Sequence, residues 1–388
     1  MRTVAIVGTS LAGLRAAQQL RAKGYSGRLV MIGEEIHRPY DRPPLSKDFL
    51  LGRTSPAELA LGDAEDLLAI AARWRLGTRA ERLDVAAGEV VLGDGSRVAA
   101  DGVVIATGAT PRALPGARRL RGVHTLRSID DAVALRDELR CDAEVVVVGA
   151  GFVGAEVASS AKALGCSVTV VEAAPVPLAA TLGTRMAAVC ARLHADNGVR
   201  LLAGTGVASL ESTGDQVTGV RLTDGGLLRA DVVVVGIGAV PATGWLAGSG
   251  IAGDDGVTCD AGGVTGIPSV VAVGDVANIS STRSEHWSAA SEQPGVAVGN
   301  LLAGATVEHH RKPPYFWSDQ YEKRIQFVGT AQGHDEVRLV EGDPEDRKFV
   351  ASFHKEGTMI GALGMSSPKP FTALRKRLDR AAAIVQLG

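Results

Sequence analysis

The stretch Gly149-Ala150-Gly151-Phe152-Val153-Gly154, with a near-copy at Gly8-Thr9-Ser10-Leu11-Ala12-Gly13, decides how this chain is read. Each follows a β-branched run, residues 145–148 and 3–7, and opens a stretch that reads as a helix. In that setting the glycines make a tight turn, admit a pyrophosphate close to the backbone, and aim helix N-terminal N–H groups at it. An acid stands about twenty-odd positions further on in both, Glu34 and Glu172, placed to accept from a ribose hydroxyl. Two such turns predict two dinucleotide sites. Ser10 stands where the middle glycine of the first motif is expected. Its small side chain predicts adjusted rather than lost binding.

Working outward, each turn is followed at a similar distance by a buried strand ending in small residues. These are Asp101-Gly102-Val103-Val104-Ile105-Ala106-Thr107-Gly108 and Asp231-Val232-Val233-Val234-Val235-Gly236-Ile237-Gly238. Residues 1–108 and 145–238 are therefore an internal repeat. More strand-and-turn material follows, so the chain must return to its first unit. The candidate is Ser269-Val270-Val271-Ala272-Val273-Gly274-Asp275-Val276-Ala277, an apolar strand delivering an acid at its carboxyl end, where open α/β sheets bind ligands. Beyond Lys312-Pro313-Pro314 the texture changes to strands at 324–328, 336–340, 348–354 and 358–363, then a basic helix at 372–382. The expected fold is α/β: two Rossmann-like dinucleotide-binding domains, one inserted in the other, plus a small α+β C-terminal domain. The expected segments are 1–112 and 239–312 for the first domain, 113–238 for the second, and 313–388 for the third.

Composition narrows the function classes. With 41 Lys and Arg against 43 Asp and Glu, the net charge is −2, which indicates neither a nucleic-acid surface nor a basic membrane binder. No apolar run approaches the roughly twenty residues of a membrane span, and the first strand begins at residue 3, which predicts a soluble, cytoplasmic protein. Cys141, Cys166, Cys190 and Cys259 are far apart in sequence, so neither a redox disulfide nor a metal cluster is expected. His286, His309 and His310 show no metal-ligand pattern.

Four further motifs carry a resemblance: Pro39-Tyr40-Asp41-Arg42-Pro43-Pro44-Leu45-Ser46-Lys47, the Ala106-Thr107-Gly108 turn, Gly274-Asp275, and Phe316-Trp317-Ser318-Asp319-Gln320-Tyr321. Together with the two glycine turns, the chain resembles FAD-dependent reductases of the pyridine nucleotide–disulfide oxidoreductase superfamily. The branch is the one that reduces ferredoxins for oxygenases, with putidaredoxin, rubredoxin and dioxygenase ferredoxin reductases among its members. The resemblance implies that the first turn holds FAD through Gly8, Ser10, Ala12 and Gly13, with Glu34 on the adenosine ribose. Arg42 and Arg127 match phosphate contacts, Asp275 the ribityl chain, Thr107 and Gly108 the close-approach turn, and Ala80 and Trp287 the adenine and flavin ends. Lys47 matches a lysine at the reactive flavin edge, where a cation offsets the negative charge that hydride brings.

The second turn is implied to hold NADH through Gly149, Gly151, Phe152, Val153 and Gly154, with Gly238 on the opposite turn. Glu172 favours NADH over NADPH, because a carboxylate repels a 2′-phosphate and Ala173-Ala174-Pro175 offers no arginine. Glu156, expected on the first helical turn, matches a glutamate reaching toward the nicotinamide and Lys47. Disulfide-reducing relatives, and the oxidases and peroxidases of the superfamily, carry redox cysteine in the loop that is 39–47 here, and this loop has none. Electrons must then leave one at a time, to a ferredoxin serving a cytochrome P450 or a Rieske-type oxygenase. Rubredoxin reductase and a redox-sensing flavoprotein like apoptosis-inducing factor are the alternatives. Trp317 and the helix bearing Arg375, Lys376, Arg377 and Arg380 are candidates for transient electrostatic docking of the ferredoxin by a monomer or weak homodimer.

Overall fold

A computed structural model describes residues 1–117 and 120–384. Residues 118–119 of the expected second segment and 385–388 of the last lie outside the described residues. The chain divides into two units. The first comprises Met1–Asp41, Ala57–Thr110 and Val240–Arg311; the second comprises Arg42–Pro56, Pro111–Ala239 and Lys312–Gly388.

The first unit is built on a five-stranded parallel sheet. Its order is Val270–Ala272, Gly102–Ile105, Thr3–Val7, Arg28–Ile32 and Ala72–Arg75. All but the edge strand Ala72–Arg75 are largely Val, Ile, Leu and Ala and buried on both faces, as a parallel sheet covered on both sides requires. Removing each Val or Ile side chain from water contributes about 1.5–3 kcal/mol. The helix Leu11–Ala22 packs through Leu14, Ala17 and Leu20 against the sheet, and the long helix Trp287–Ala303 joins the same core through Ala297, Val298 and Leu301. An antiparallel sheet of Ala80–Asp84, Glu89–Leu92 and Arg97–Ala99 closes the other face through Leu83, Val90 and Leu92.

The second unit repeats the plan. Its parallel sheet runs Arg200–Ala203, Ser167–Glu172, Glu144–Val148, Val232–Val235 and Val123–His124, with an antiparallel sheet of Val207–Thr213, Gln216–Leu222 and Leu227–Arg229. Even a buttress recurs: Asp101 Oδ2 accepts from the amides of Arg2 and Thr3, and Asp231 Oδ2 accepts from that of Glu144. The repeats differ in their outermost strand. In the second unit it is Val123–His124, ahead of the glycine turn; in the first it is Val270–Ala272, after the whole second repeat.

The second unit also carries a five-stranded antiparallel sheet, ordered Tyr315–Gln320, Lys323–Gly329, Thr358–Met365, Lys348–Lys355 and Glu336–Asp343. The helix Pro368–Ile384 lies on it through Phe371, Leu374 and Leu378. No helix among the described residues is long and apolar enough to cross a membrane.

Candidate functional site

In the first unit the turn after Thr3–Val7 is a strained, backbone-to-backbone contact that only glycine permits. Gly8 has φ +112°, and a Cβ there would lie 2.0 Å from the carbonyl oxygen of Ala106; one at Gly13 would lie 1.8 Å from that of Gly8. Strand end, turn and helix start are thus pressed together, with the first N–H groups of Leu11–Ala22 left for a ligand. Ser10 is the N-cap of this helix with φ −82° and ψ −163°, and Gly151 holds the matching place at φ −68° and ψ 178°. Neither conformation demands glycine, and a Cβ at Gly151 meets nothing within 4 Å. The middle position therefore tolerates serine.

The Gly274–Val276 turn is brought to this site. A Cβ on Gly274, at φ +73°, would be 3.0 Å from the Ala12 methyl, and the Gly274 N–H donates to Gln293 Oε1 at 2.7 Å. Asp275 is thereby set beside the glycine turn, half-buried, within a single 3-10 turn. Thr107 Oγ donates to the carbonyl of Ala242 at 2.9 Å, and Gly108 turns at φ +69°. Glu34 is exposed and pairs with Arg79 at 3.7 Å. Ala80 is buried at the start of its strand. Trp287 opens the helix Trp287–Ala303 and donates its indole N–H to Asp41 Oδ1 at 2.8 Å, a tie that no sequence signal named.

In the second unit Gly149, at φ +99°, sits where a Cβ would be 2.3 Å from the carbonyl of Gly236, and a Cβ on Gly154 would be 2.1 Å from that of Gly149. A cavity of about 430 Å³ opens beside this turn, lined by Gly149, Gly151, Glu172, Thr205, Val207 and Gly238 among others. Glu172 is held by two amides: Oε2 accepts from Ala150 and Oε1 from Ala174, both at 2.8 Å. The acid thus orders the turn as well as facing the cavity. Phe152 packs on Phe316 with ring centroids 4.6 Å apart, while Val153 is exposed at the helix start.

The loop 42–56 groups with this unit and supplies Lys47. The prolines of Pro43–Ser46 fix a short 3-10 turn that ends at Lys47, whose Nζ lies 2.6 Å from Glu156 Oε2. Glu156 is the fifth residue of the helix Phe152–Ala163, beyond the first turn on which it was expected, because that helix begins at Phe152. It is buried, and it also accepts from Ser46 Oγ at 2.5 Å and Ser318 Oγ at 2.7 Å. Ser46 and Ser318 stand in quoted motifs but carry no chemistry of their own, so only the fold reveals them. Arg42 Nη1 donates to the carbonyl of Arg127 at 2.7 Å.

Three of the four thiols, Cys166, Cys190 and Cys259, are buried and Cys141 is exposed. Burial pushes Cys190 and Cys259 up to about 12, which keeps them protonated and unreactive. Among the described residues there is no group of His, Cys, Asp or Glu arranged to hold a metal. Arg375 of the C-terminal helix stacks its guanidinium 3.8 Å from the ring centroid of Tyr315, which in turn stacks on Trp317, while Lys376, Arg377 and Arg380 are exposed.

Comparison with known proteins accords with this geometry. The family described as pyridine nucleotide-disulphide oxidoreductase matches residues 2–294, and a reductase C-terminal family matches 315–386. Rhodocoxin reductase of Rhodococcus erythropolis is 34% identical over 384 residues, covering 97% of this chain and 89% of the relative. The ferredoxin–NAD(+) reductase component of the biphenyl dioxygenase system of Paraburkholderia xenovorans is 37% identical, covering 95% and 91%. The crystal structure of a covalent putidaredoxin reductase–putidaredoxin complex superposes with a TM-score of 0.93 at 30% identity, covering 98% and 93%. Two glycine turns on repeated parallel sheets, an antiparallel C-terminal sheet and whole-length matches agree: the chain belongs to the pyridine nucleotide-disulphide oxidoreductase family.

Proposed function

We propose that this chain is an NADH-dependent flavoprotein reductase that passes electrons singly to a ferredoxin serving a cytochrome P450 or a Rieske-type oxygenase. The observation that carries the reading is the pair of glycine turns on two repeated sheets, combined with a Lys47–Glu156 pair where disulfide-reducing relatives keep cysteines. FAD, when bound, supplies the conversion of a two-electron donation into one-electron steps, which no side chain can perform.

The residues fit that group. The Gly8 and Gly13 turn leaves helix N–H groups for a pyrophosphate, Asp275 stands beside it for polyol hydroxyls, and Arg42 and Arg127 are assigned to phosphate oxygens. Glu34 is assigned to the adenosine ribose, and Ala80, Thr107, Gly108 and Trp287 to the remaining close contacts. On the other turn, Gly149, Gly151 and Gly154 take the NADH pyrophosphate and Glu172 the ribose, its negative charge disfavouring a 2′-phosphate. Phe152, Val153 and Gly238 border that site. Lys47 is assigned the positive charge that offsets the negative charge hydride brings, and Glu156 accepts from its ammonium. The exposed Lys376, Arg377 and Arg380, with Trp317, form the surface assigned to an acidic ferredoxin.

The test is anaerobic mixing with NADH, followed by addition of [2Fe–2S], [3Fe–4S] and rubredoxin acceptors in turn. Rapid bleaching of flavin and acceptor-dependent turnover are expected with an iron–sulfur ferredoxin. Turnover with rubredoxin alone would transfer the assignment to that acceptor. Slow bleaching with no acceptor reduced would remove the reductase reading in favour of a sensor.

A further inference from the structure

Glu156 is held from both of its oxygens by three side chains of the second unit. Oε2 takes Ser46 Oγ at 2.5 Å and Lys47 Nζ at 2.6 Å, and Oε1 takes Ser318 Oγ at 2.7 Å. A carboxylate can only accept, so the hydroxyl proton of Ser318 is directed at it. The Ser318 oxygen then has lone pairs to offer, and Gln320 Nε2 donates to it at 3.0 Å. With that lone pair occupied by an N–H, the serine proton has no acceptor on the Gln320 side. The glutamine thereby sets the direction of the serine bond. On the other flank, Ser160 Oγ donates to the carbonyl of Ser46 at 2.7 Å, anchoring the 3-10 turn that presents Lys47.

Ser318 and Gln320 point inward from the strand Tyr315–Gln320, by the same alternation that buries Phe316 between ring neighbours. They are 0% and 3% exposed. Apolar residues at these two positions would bury as well and would leave no polar group to satisfy. Two successive inward polar side chains, one bonded to a buried carboxylate and the other to the first, call for a reason other than packing. A carboxylate's terminal torsion is broad and two-fold, so Lys47 and Ser46 on one oxygen leave the other free to swing.

We propose that Ser318 and Gln320 are positioning residues for the Lys47–Glu156 pair: they pin Oε1 so that Oε2 stays on the Lys47 ammonium. This rests on the reading above that Lys47 and Glu156 serve reduction by NADH. Through them the C-terminal sheet takes part in a step whose acting residues lie on the loop 42–56 and the helix Phe152–Ala163.

The experiment uses the flavin-loaded full chain with Ser318→Ala, Ser318→Thr, Gln320→Leu and Glu156→Gln. Two quantities are measured, with the NADH Kd as a control: the limiting rate of flavin bleaching, and the rate at which acetic anhydride acylates Lys47, read by mass spectrometry. Ser318→Ala is expected to lower the limiting rate about tenfold, a factor within reach of one charge-assisted hydrogen bond, with Kd changed less than about twofold. It should raise Lys47 acylation several-fold, Ser318→Thr should restore both quantities, and Gln320→Leu should move both in the alanine direction. Wild-type acylation and limiting rate in Ser318→Ala and Gln320→Leu, with Glu156→Gln impaired, would overturn the inference alone. Wild-type behaviour of Glu156→Gln would overturn the underlying reading as well. If Ser318→Ala does not fold, Gln320→Leu decides on the same two quantities.

Discussion

Replacing Gly154 by alanine tests how the second glycine turn and the buried carboxylate depend on each other. The added Cβ starts 2.1 Å from the carbonyl oxygen of Gly149 and must reach about 3.4 Å for ordinary contact, so turn and helix must part by about 1.3 Å. The hydrogen bonds of Glu156, two residues along the same helix, have less slack. Those to Ser318 and Lys47 stand at 2.7 and 2.6 Å, and lengthening of about 0.8–0.9 Å takes them past hydrogen-bonding range. The opening itself costs about 1–3 kcal/mol as overpacking. Loss of one or two charge-assisted bonds in a buried site removes about 1.5–3 kcal/mol each. Stopped-flow mixing with NADH should therefore show both a weaker Kd, from the disturbed pyrophosphate cradle, and a limiting bleaching rate lower by about ten- to a hundredfold. A variant with weakened NADH binding and an unchanged limiting rate would refute the coupling, because it would show that Glu156 holds Lys47 without the close helix–turn contact.

Other outcomes follow from the same geometry. Glu172→Ala combined with Ala173→Arg should move the ratio of kcat/KM for NADPH over NADH upward by at least about tenfold, and an unmoved ratio would remove Glu172 from the ribose site. Lys47→Ala should slow flavin bleaching while leaving NADH binding within about twofold, and a wild-type rate would take Lys47 out of the reaction. Charge reversal at Lys376, Arg377 and Arg380 should raise the KM for an acidic ferredoxin and flatten its salt dependence, with turnover toward a small uncharged acceptor unchanged.

Acid stability offers a separate check. Burial lowers His194 to about 4 from 6.5, and its ring nitrogen meets the hydroxyl of Tyr321 at 2.8 Å. A histidine kept neutral in the fold protonates first in the unfolded chain. Its contribution is full above about pH 6.5 and is lost as pH falls to about 4, an amount of order 3 kcal/mol. Urea unfolding at pH 7 and pH 4.5 should show a smaller acid loss in His194→Asn than in wild type; equal losses would assign the acid sensitivity elsewhere.

Much of the scaffold is legible in the sequence because its signals are local. The runs at 3–7 and 28–32 each open on one polar residue, Thr3 or Arg28, and continue apolar to the end, and they form strands with those limits. The glycine turns are legible because a Cβ at Gly8, Gly13, Gly149 or Gly154 would lie within 2.3 Å of a backbone carbonyl oxygen. The helices begin at Leu11 and Phe152, inside the glycine motifs, since the turn's last residues take helical geometry before any apolar spacing is visible. The strand Tyr315–Gln320 stayed hidden within a motif whose inward positions are Phe, Ser and Gln, a pattern without hydrophobic alternation. For the same reason Ser318 and Gln320 carried no signal. Their meaning lies in Glu156, some hundred and sixty residues away in sequence, and only tertiary contact joins them. The two-residue strand Val123–His124 and the grouping of residues 42–56 with the second unit are likewise set by distant partners rather than by local preference.

The outermost strand of the first sheet has a consequence for how the protein is made. Val103 pairs with Val270, so a sheet begun at residue 3 is finished only when residue 272 has left the ribosome. By then residues 123–235, which form the whole parallel sheet of the second repeat, have already emerged. At about 5–20 residues per second, the first repeat waits on the order of ten to thirty seconds with the edge of Gly102–Ile105 unpaired. The first repeat to start is the second to finish. Asp275 and the glycine turn come together only at that closure, so on the proposed function flavin capture waits until residue 275 has emerged, and chaperone dependence should concentrate in the interval before it.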